Sequence, residues 1–164
     1  LLDKDEKDGR QPLSVLGTDL LFVCPLRNIT RSFQAAQGAN AKQTYLYRFM
    51  HEIKEDVWEP SNPYCVGYVC HGSELPFVFD SWIAGDIHYD ITQDEKQLTI
   101  DTQNAWVNWV YNNNPNGDNI PAPGYPLYDS ESDMIALMDS PGFTNEAHTR
   151  SEYCDMWDAL GYFY

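Results

Sequence analysis

Only two segments of this sequence have the composition of β-strands: 44–49 (TYLYRF), with Tyr45, Tyr47 and Phe49 on one face, and 134–138 (MIALM), about half the chain further on. A two-stranded ribbon is marginal in water. The helices expected around these strands carry apolar faces that also need a surface to cover. The chain is therefore expected to complete a larger sheet, supplied by another polypeptide, in an α/β fold.

The helical segments follow from caps and breakers. Asp19 precedes the apolar run Leu20–Val23, with Pro25 in the first turns, so it is expected to N-cap a helix running to Gln37 and stopped by Gly38. Residues 72–79 read as one or two helical turns, with Pro76 tolerated near the start. Thr92-Gln93-Asp94-Glu95 fits a capping box. The helix behind it presents Leu98, Thr102, Ala105, Trp106, Trp109 and Val110 on one face and stops at the Asn112–Gly117 run. Asn145 is the expected cap of a last helix holding Tyr153, Met156, Trp157 and Leu160. Residues 3–12 carry charges, a Gly and a Pro but no apolar side chain, so residues 1–14 read as an exposed segment ahead of one folded portion, 15–164.

Charge removes one function class. With 25 acidic and 10 basic side chains the net charge is −15, and nucleic-acid affinity depends on cations displacing counterions. Apolar residues make up 43% of the 164 residues, too many for a disordered acidic tail. The 5 Trp, 11 Tyr and 7 Phe are a surplus of rings for so short a chain, which points to a surface for a partner. The longest apolar run, Leu20–Cys24, is far short of the ~20 residues a membrane-spanning helix needs.

Four cysteines, Cys24, Cys65, Cys70 and Cys154, admit three pairings. A Cys65–Cys70 bond would close a small loop, and Cys24–Cys154 would span most of the chain. Either requires an oxidising compartment. Asn28-Ile29-Thr30 is a glycosylation sequon, which beside paired cysteines favours a secreted or lumenal protein. No metal set is assigned: Cys65, Cys70, His71 and His88 lack zinc spacing, and Asp3, Asp5 and Asp8 are out of register for a calcium loop. No cofactor motif is present either.

The segment Val66-Gly67-Tyr68-Val69-Cys70-His71-Gly72-Ser73-Glu74-Leu75-Pro76-Phe77-Val78-Phe79 resembles the histidine segment of the type-B carboxylesterase and cholinesterase family, G-V-x-H-G-x-E-L-P-Y-V-F. Further matches follow in the family's order. Asp19-x-x-Phe22-Val23-Cys24-Pro25 resembles its D-x-x-F-x-C-P helix start, and Tyr45-Leu46-Tyr47-Arg48-Phe49 its Y-L-Y-x-F strand. Trp106 through Asn114-Pro115-Asn116 resembles its W-x-x-F-A-x-x-G-N-P-N helix end, Tyr125-Pro126-Leu127-Tyr128 its W-P-x-Y, and Cys154-Asp155-Met156-Trp157 its C-x-F-W. Val110-Tyr111-Asn112-Asn113 departs from the pattern by losing the glycine cap, a place where Asn can still adopt the left-handed conformation.

The resemblance covers the last third of an α/β-hydrolase domain and implies a C-terminal chain of a serine esterase. No G-x-S-x-G elbow occurs in this sequence, so the nucleophilic serine and the triad acid would come from an N-terminal partner chain acting on a small ester. His71 would be the triad base, with Gly72 and the buried Glu74 supporting it. The resemblance pairs Cys24 with Cys154, leaves Cys65–Cys70 to brace the histidine loop, and makes Asp19–Arg150 a structural ion pair. Cys70 as a nucleophile beside His71 is a weaker reading. His51, His88 and His148 have no supporting motif and are expected at the surface. The family also contains noncatalytic members, so an adhesion, storage or scaffold protein is the alternative.

Overall fold

A computed structural model describes residues 9–38, 43–54, 65–84 and 87–162, which fall into two compact units. One is formed by the two ends of the chain and the other by residues 45–147. Asp3, Asp5 and Asp8, and residues 55–64 with Pro60 and Pro63, lie outside the described residues.

In the first unit, helix α1 (Arg10–Thr18) begins inside the segment read as an exposed stretch ahead of the folded portion. Pro12 is no obstacle, because the first-turn N–H groups of a helix have no intrahelical acceptor. The chain then runs through one wide turn, Asp19–Val23, directly into α2 (Cys24–Gln37). Asp19 is thus not an N-cap but an interior residue. Pro25 supplies the reason: it lacks an N–H and its ring presses on the carbonyl four residues earlier, and a turn of π-type geometry relieves both without ending the helix. Gly38 ends α2 as expected, its N–H bonding Gln34 O.

Helix α5 (Ser151–Leu160) is tied to this helical pair by the Cys24–Cys154 disulfide, with Cα atoms 4.8 Å apart. Buried Arg27 adds two bonds, from Nη2 to Asp155 Oδ1 at 2.8 Å and from Nη1 to Asp158 Oδ2 at 3.2 Å. The expected ion pair is present: Arg150 Nε donates to Asp19 Oδ1 at 3.0 Å, and Nη2 donates to Oδ2.

The second unit holds a mixed sheet in the order β1-β4-β5. Strand β1 (Tyr47–Phe49) runs parallel to β4 (Met134–Met138), with Tyr47 opposite Ala136 and Phe49 opposite Met138. Strand β5 (Thr144–Ala147) returns antiparallel to β4 and places Asn145 opposite Ala136. Asn145 is therefore a strand residue rather than a helix cap. Its segment, TNEA, lacks apolar alternation and becomes a strand because the preceding turn lays it along an open edge of β4. A short hairpin, β2 (Ile83–Ala84) with β3 (Ile87–His88), was not expected from sequence.

Helix α3 (Leu75–Phe79) has Pro76 in its first turn, and α4 (Gln93–Asn112) opens on the complete Thr92/Glu95 capping box. Asn113, left-handed at φ 53°, closes α4 by bonding Trp109 O at 2.9 Å, so the turn survives without glycine. The core combines Phe49, Ile53, Phe77, Trp82, Leu98 and Met138 with further buried side chains. Phe77 is its pivot, edge-on to Trp82 at 4.7 Å and 5.0 Å from Phe49. The expected apolar face of α4 is only partly covered: Leu98, Thr102 and Ala105 are buried, whereas Trp106 and Val110 are exposed.

Candidate active site

His71 sits at the centre of a tight turn. Ser73 N donates to Cys70 O at 3.1 Å, and Ser73 Oγ accepts from Cys70 N at 2.9 Å, so the turn is closed by two bonds across His71 and Gly72. Gly72 has φ 84°, a left-handed conformation in which a side chain would be strained. Gly72 and Ser73 are buried, while the His71 side chain between the turn's ends is exposed. An inward-anchored backbone thus presents an imidazole outward, where it can meet groups brought by another surface.

Two devices hold this turn. Cys65 and Cys70 are disulfide-bonded, with Cα atoms 5.7 Å apart, so neither cysteine is available as a nucleophile or a zinc thiolate. Gly67 N donates to Ile53 O at 3.0 Å, joining the loop to the chain leaving β1. On the other side, Leu75 N bonds Gly72 O at 3.0 Å and passes the turn directly into α3.

Glu74 is half-buried at the start of α3. Burial raises the Tyr47 hydroxyl above its ordinary pKa, and the negative charge of Glu74 raises it further. Both residues line an open groove of about 890 Å³ whose walls include Leu75, Phe79, Trp106 and Val110.

Asn28 lies within α2, where its Nδ2 donates to Asp158 Oδ1 at 3.1 Å, and Thr30 is buried with its hydroxyl on Leu26 O at 2.8 Å. The sequon is therefore part of a helix and not of a loop.

His88 and His148 are exposed as expected, but His51 is not. Its side chain is 12% exposed, with Nδ1 3.1 Å from Asp139 Oδ1 and Nε2 3.1 Å from Glu95 Oε1. No local motif announces this, because the three residues meet only where the ends of β1 and β4 reach the start of α4. Glu95 doubles as the capping-box carboxylate. Burial would raise its pKa, but the Thr92 backbone and side-chain bonds, the His51 bond and the attraction of the His51 charge together hold it below its ordinary value.

Among the described residues no helix is long and apolar enough to cross a membrane, and no group of three or more His, Cys, Asp or Glu is arranged to hold a metal ion.

Comparison with known proteins agrees with this geometry. The model of the carboxylesterase family matches residues 2–157. The crystal protein of Dictyostelium discoideum is 29% identical over 160 residues, 95% of this chain and 28% of that protein. Human cocaine esterase is 31% identical over 121 residues, 73% of this chain and 19% of that enzyme. The chain thus spans less than a third of these relatives. Among solved structures, a PNB esterase matches with a TM-score of 0.62 and 26% identity over 88% of this chain and 26% of its own. The carboxylesterase EST55 of Geobacillus stearothermophilus matches with a TM-score of 0.66 and 19% identity over 95% of this chain and 29% of its own, a likeness of α/β-hydrolase fold.

Proposed function

Because the chain belongs to the carboxylesterase family, we propose that it is the C-terminal part of a secreted or lumenal serine carboxylic-ester hydrolase, with His71 as the general base. The observation that carries this reading is the Cys70–Ser73 turn, which exposes an imidazole from an anchored backbone inside an H-G-x-E segment. In such an enzyme His71 takes the proton of a serine hydroxyl as that oxygen attacks the ester carbonyl, then returns it to the departing alcohol. The serine, and the carboxylate that orients the ring, would come from a partner portion of the same hydrolase, since no G-x-S-x-G elbow occurs in this sequence.

The uncovered apolar surface supports that partner. Phe79, Val110 and Tyr111 are 70, 72 and 80% exposed, and β1 is an edge strand of the described sheet. An upstream portion of the same hydrolase would add sheet and cover the groove. The two disulfides fit an oxidising compartment.

In the complete protein, His71→Ala is expected to lower hydrolysis of a simple aryl ester by on the order of 10⁴-fold or more with unchanged melting. Retained turnover would refute the assignment. A noncatalytic role is the second reading: the Dictyostelium crystal protein, similar over 95% of this chain, bears a name that states no activity. An upstream sequence without the elbow serine would establish it in place of the esterase.

A further inference from the structure

Both ring nitrogens of His51 face carboxylate oxygens at 3.1 Å, Nδ1 toward Asp139 and Nε2 toward Glu95. A neutral imidazole carries a single N–H, so one of these contacts would set a nitrogen lone pair against a carboxylate. Only the imidazolium donates to both. The groups packed on the ring are Asp139 at the end of β4, Glu95 in the first turn of α4, and Phe77 of α3, edge-on at 5.5 Å. Glu95 serves its two partners with separate oxygens: Oε2 accepts from Thr92 N and Oγ1, leaving Oε1 to His51.

This bridge stands at both anchors of the turn that carries His71. Two residues beyond His51, Ile53 O accepts the Gly67 N–H at the start of the Cys65–Cys70 loop. Phe77, against which the His51 ring packs, belongs to the helix that begins directly after Glu74. We propose that His51 is held as an imidazolium between Glu95 and Asp139, and that this bridge is a positioning element fixing the segment that presents His71. The positioning role rests on His71 being the general base, whereas the protonation state does not.

The test uses the complete esterase. With ¹⁵N-labelled histidine, His51 at pH 7 is expected to show both ring nitrogens protonated, and Glu95→Gln, which places a donor where Oε1 accepts, to leave only Nδ1 protonated. One protonated nitrogen in the unaltered protein, or two in Glu95→Gln, overturns the proposal. His51→Gln, which cannot donate in both directions, is expected to lower kcat roughly 10- to 100-fold with KM changed less than about twofold. Should that variant not fold, Asp139→Ala removes the half-exposed end of the bridge and is expected to lower kcat several-fold in the same pattern. An unchanged kcat in whichever variant folds overturns the positioning role. If His71→Ala keeps full turnover while His51 shows two protonated nitrogens, the catalytic reading has failed and the bridge stands. If His71 proves essential and His51 carries one proton, this inference alone has failed.

Discussion

Arg150 grips Asp19 with a fork, Nε and Nη2 donating to the two carboxylate oxygens across a sequence separation of 131 residues. The two ends are unequally buried: Asp19 is 4% exposed, while the Arg150 side chain is 23% exposed and stacks over Tyr153 at 4.0 Å. Loss of either partner strands the other charge, and a stranded charge costs most where water cannot reach it. In the complete protein Arg150→Ala is therefore expected to cost about 3 kcal/mol or more, and Asp19→Ala clearly less. Denaturant melts of both variants and of the double variant check this; equal costs would contradict the unequal burial, and strict additivity the pairing itself.

The two disulfides differ mainly in the loop they close. Cys24–Cys154 spans 130 residues and Cys65–Cys70 only 5. In the chain-entropy account their contributions are about 5 and about 2 kcal/mol. The Cys24→Ser/Cys154→Ser variant is expected to lose most of the stability, and Cys65→Ser/Cys70→Ser to lose activity before stability, because its loop carries the His71 turn. Paired melting and ester-hydrolysis measurements separate the two effects.

Glu95 gives an acid-side prediction. Its carboxyl is held below the ordinary value of 4.5, so the folded state binds the proton less readily than the unfolded chain. The stabilisation is present above about pH 4.5 and is lost as pH falls through the lowered folded-state value. Glu95→Gln removes that titration and should flatten the fall in melting temperature below pH 4.5. A curve parallel to that of the unaltered protein would rule the linkage out.

Expressed alone, the chain is expected to aggregate or to melt broadly while binding a hydrophobic dye. Large apolar side chains are uncovered in each unit: Leu13, Leu21 and Ile29 in one, Phe79, Val110 and Tyr111 in the other. A sharp cooperative melt of the isolated chain would contradict the need for an upstream partner.

The sequence announced features whose signals are local. Thr92 and Glu95 satisfy the first N–H groups of α4 within one turn, Asn113 tolerates a left-handed cap, and the H-G-x-E segment needs its glycine beside His71. Each is decided by backbone geometry over a few residues. It misjudged Asn145 and His51 for the opposite reason. Asn145 looks like a cap until β4 offers an open edge, and His51 like a surface residue until Glu95 and Asp139 arrive from distant positions.

What the sequence determined by itself was helices α2 to α5 and strands β1 and β4, the cysteine partners open to choice, the family likeness and the insufficiency of two short strands as a sheet. Tertiary structure alone decided that β5 extends the sheet and that a histidine lies between two acids. The physical division is one of range: caps and turns are settled by hydrogen bonds a few residues apart, whereas burying a charge is tolerable only where folding brings its partner, and no local pattern records that meeting.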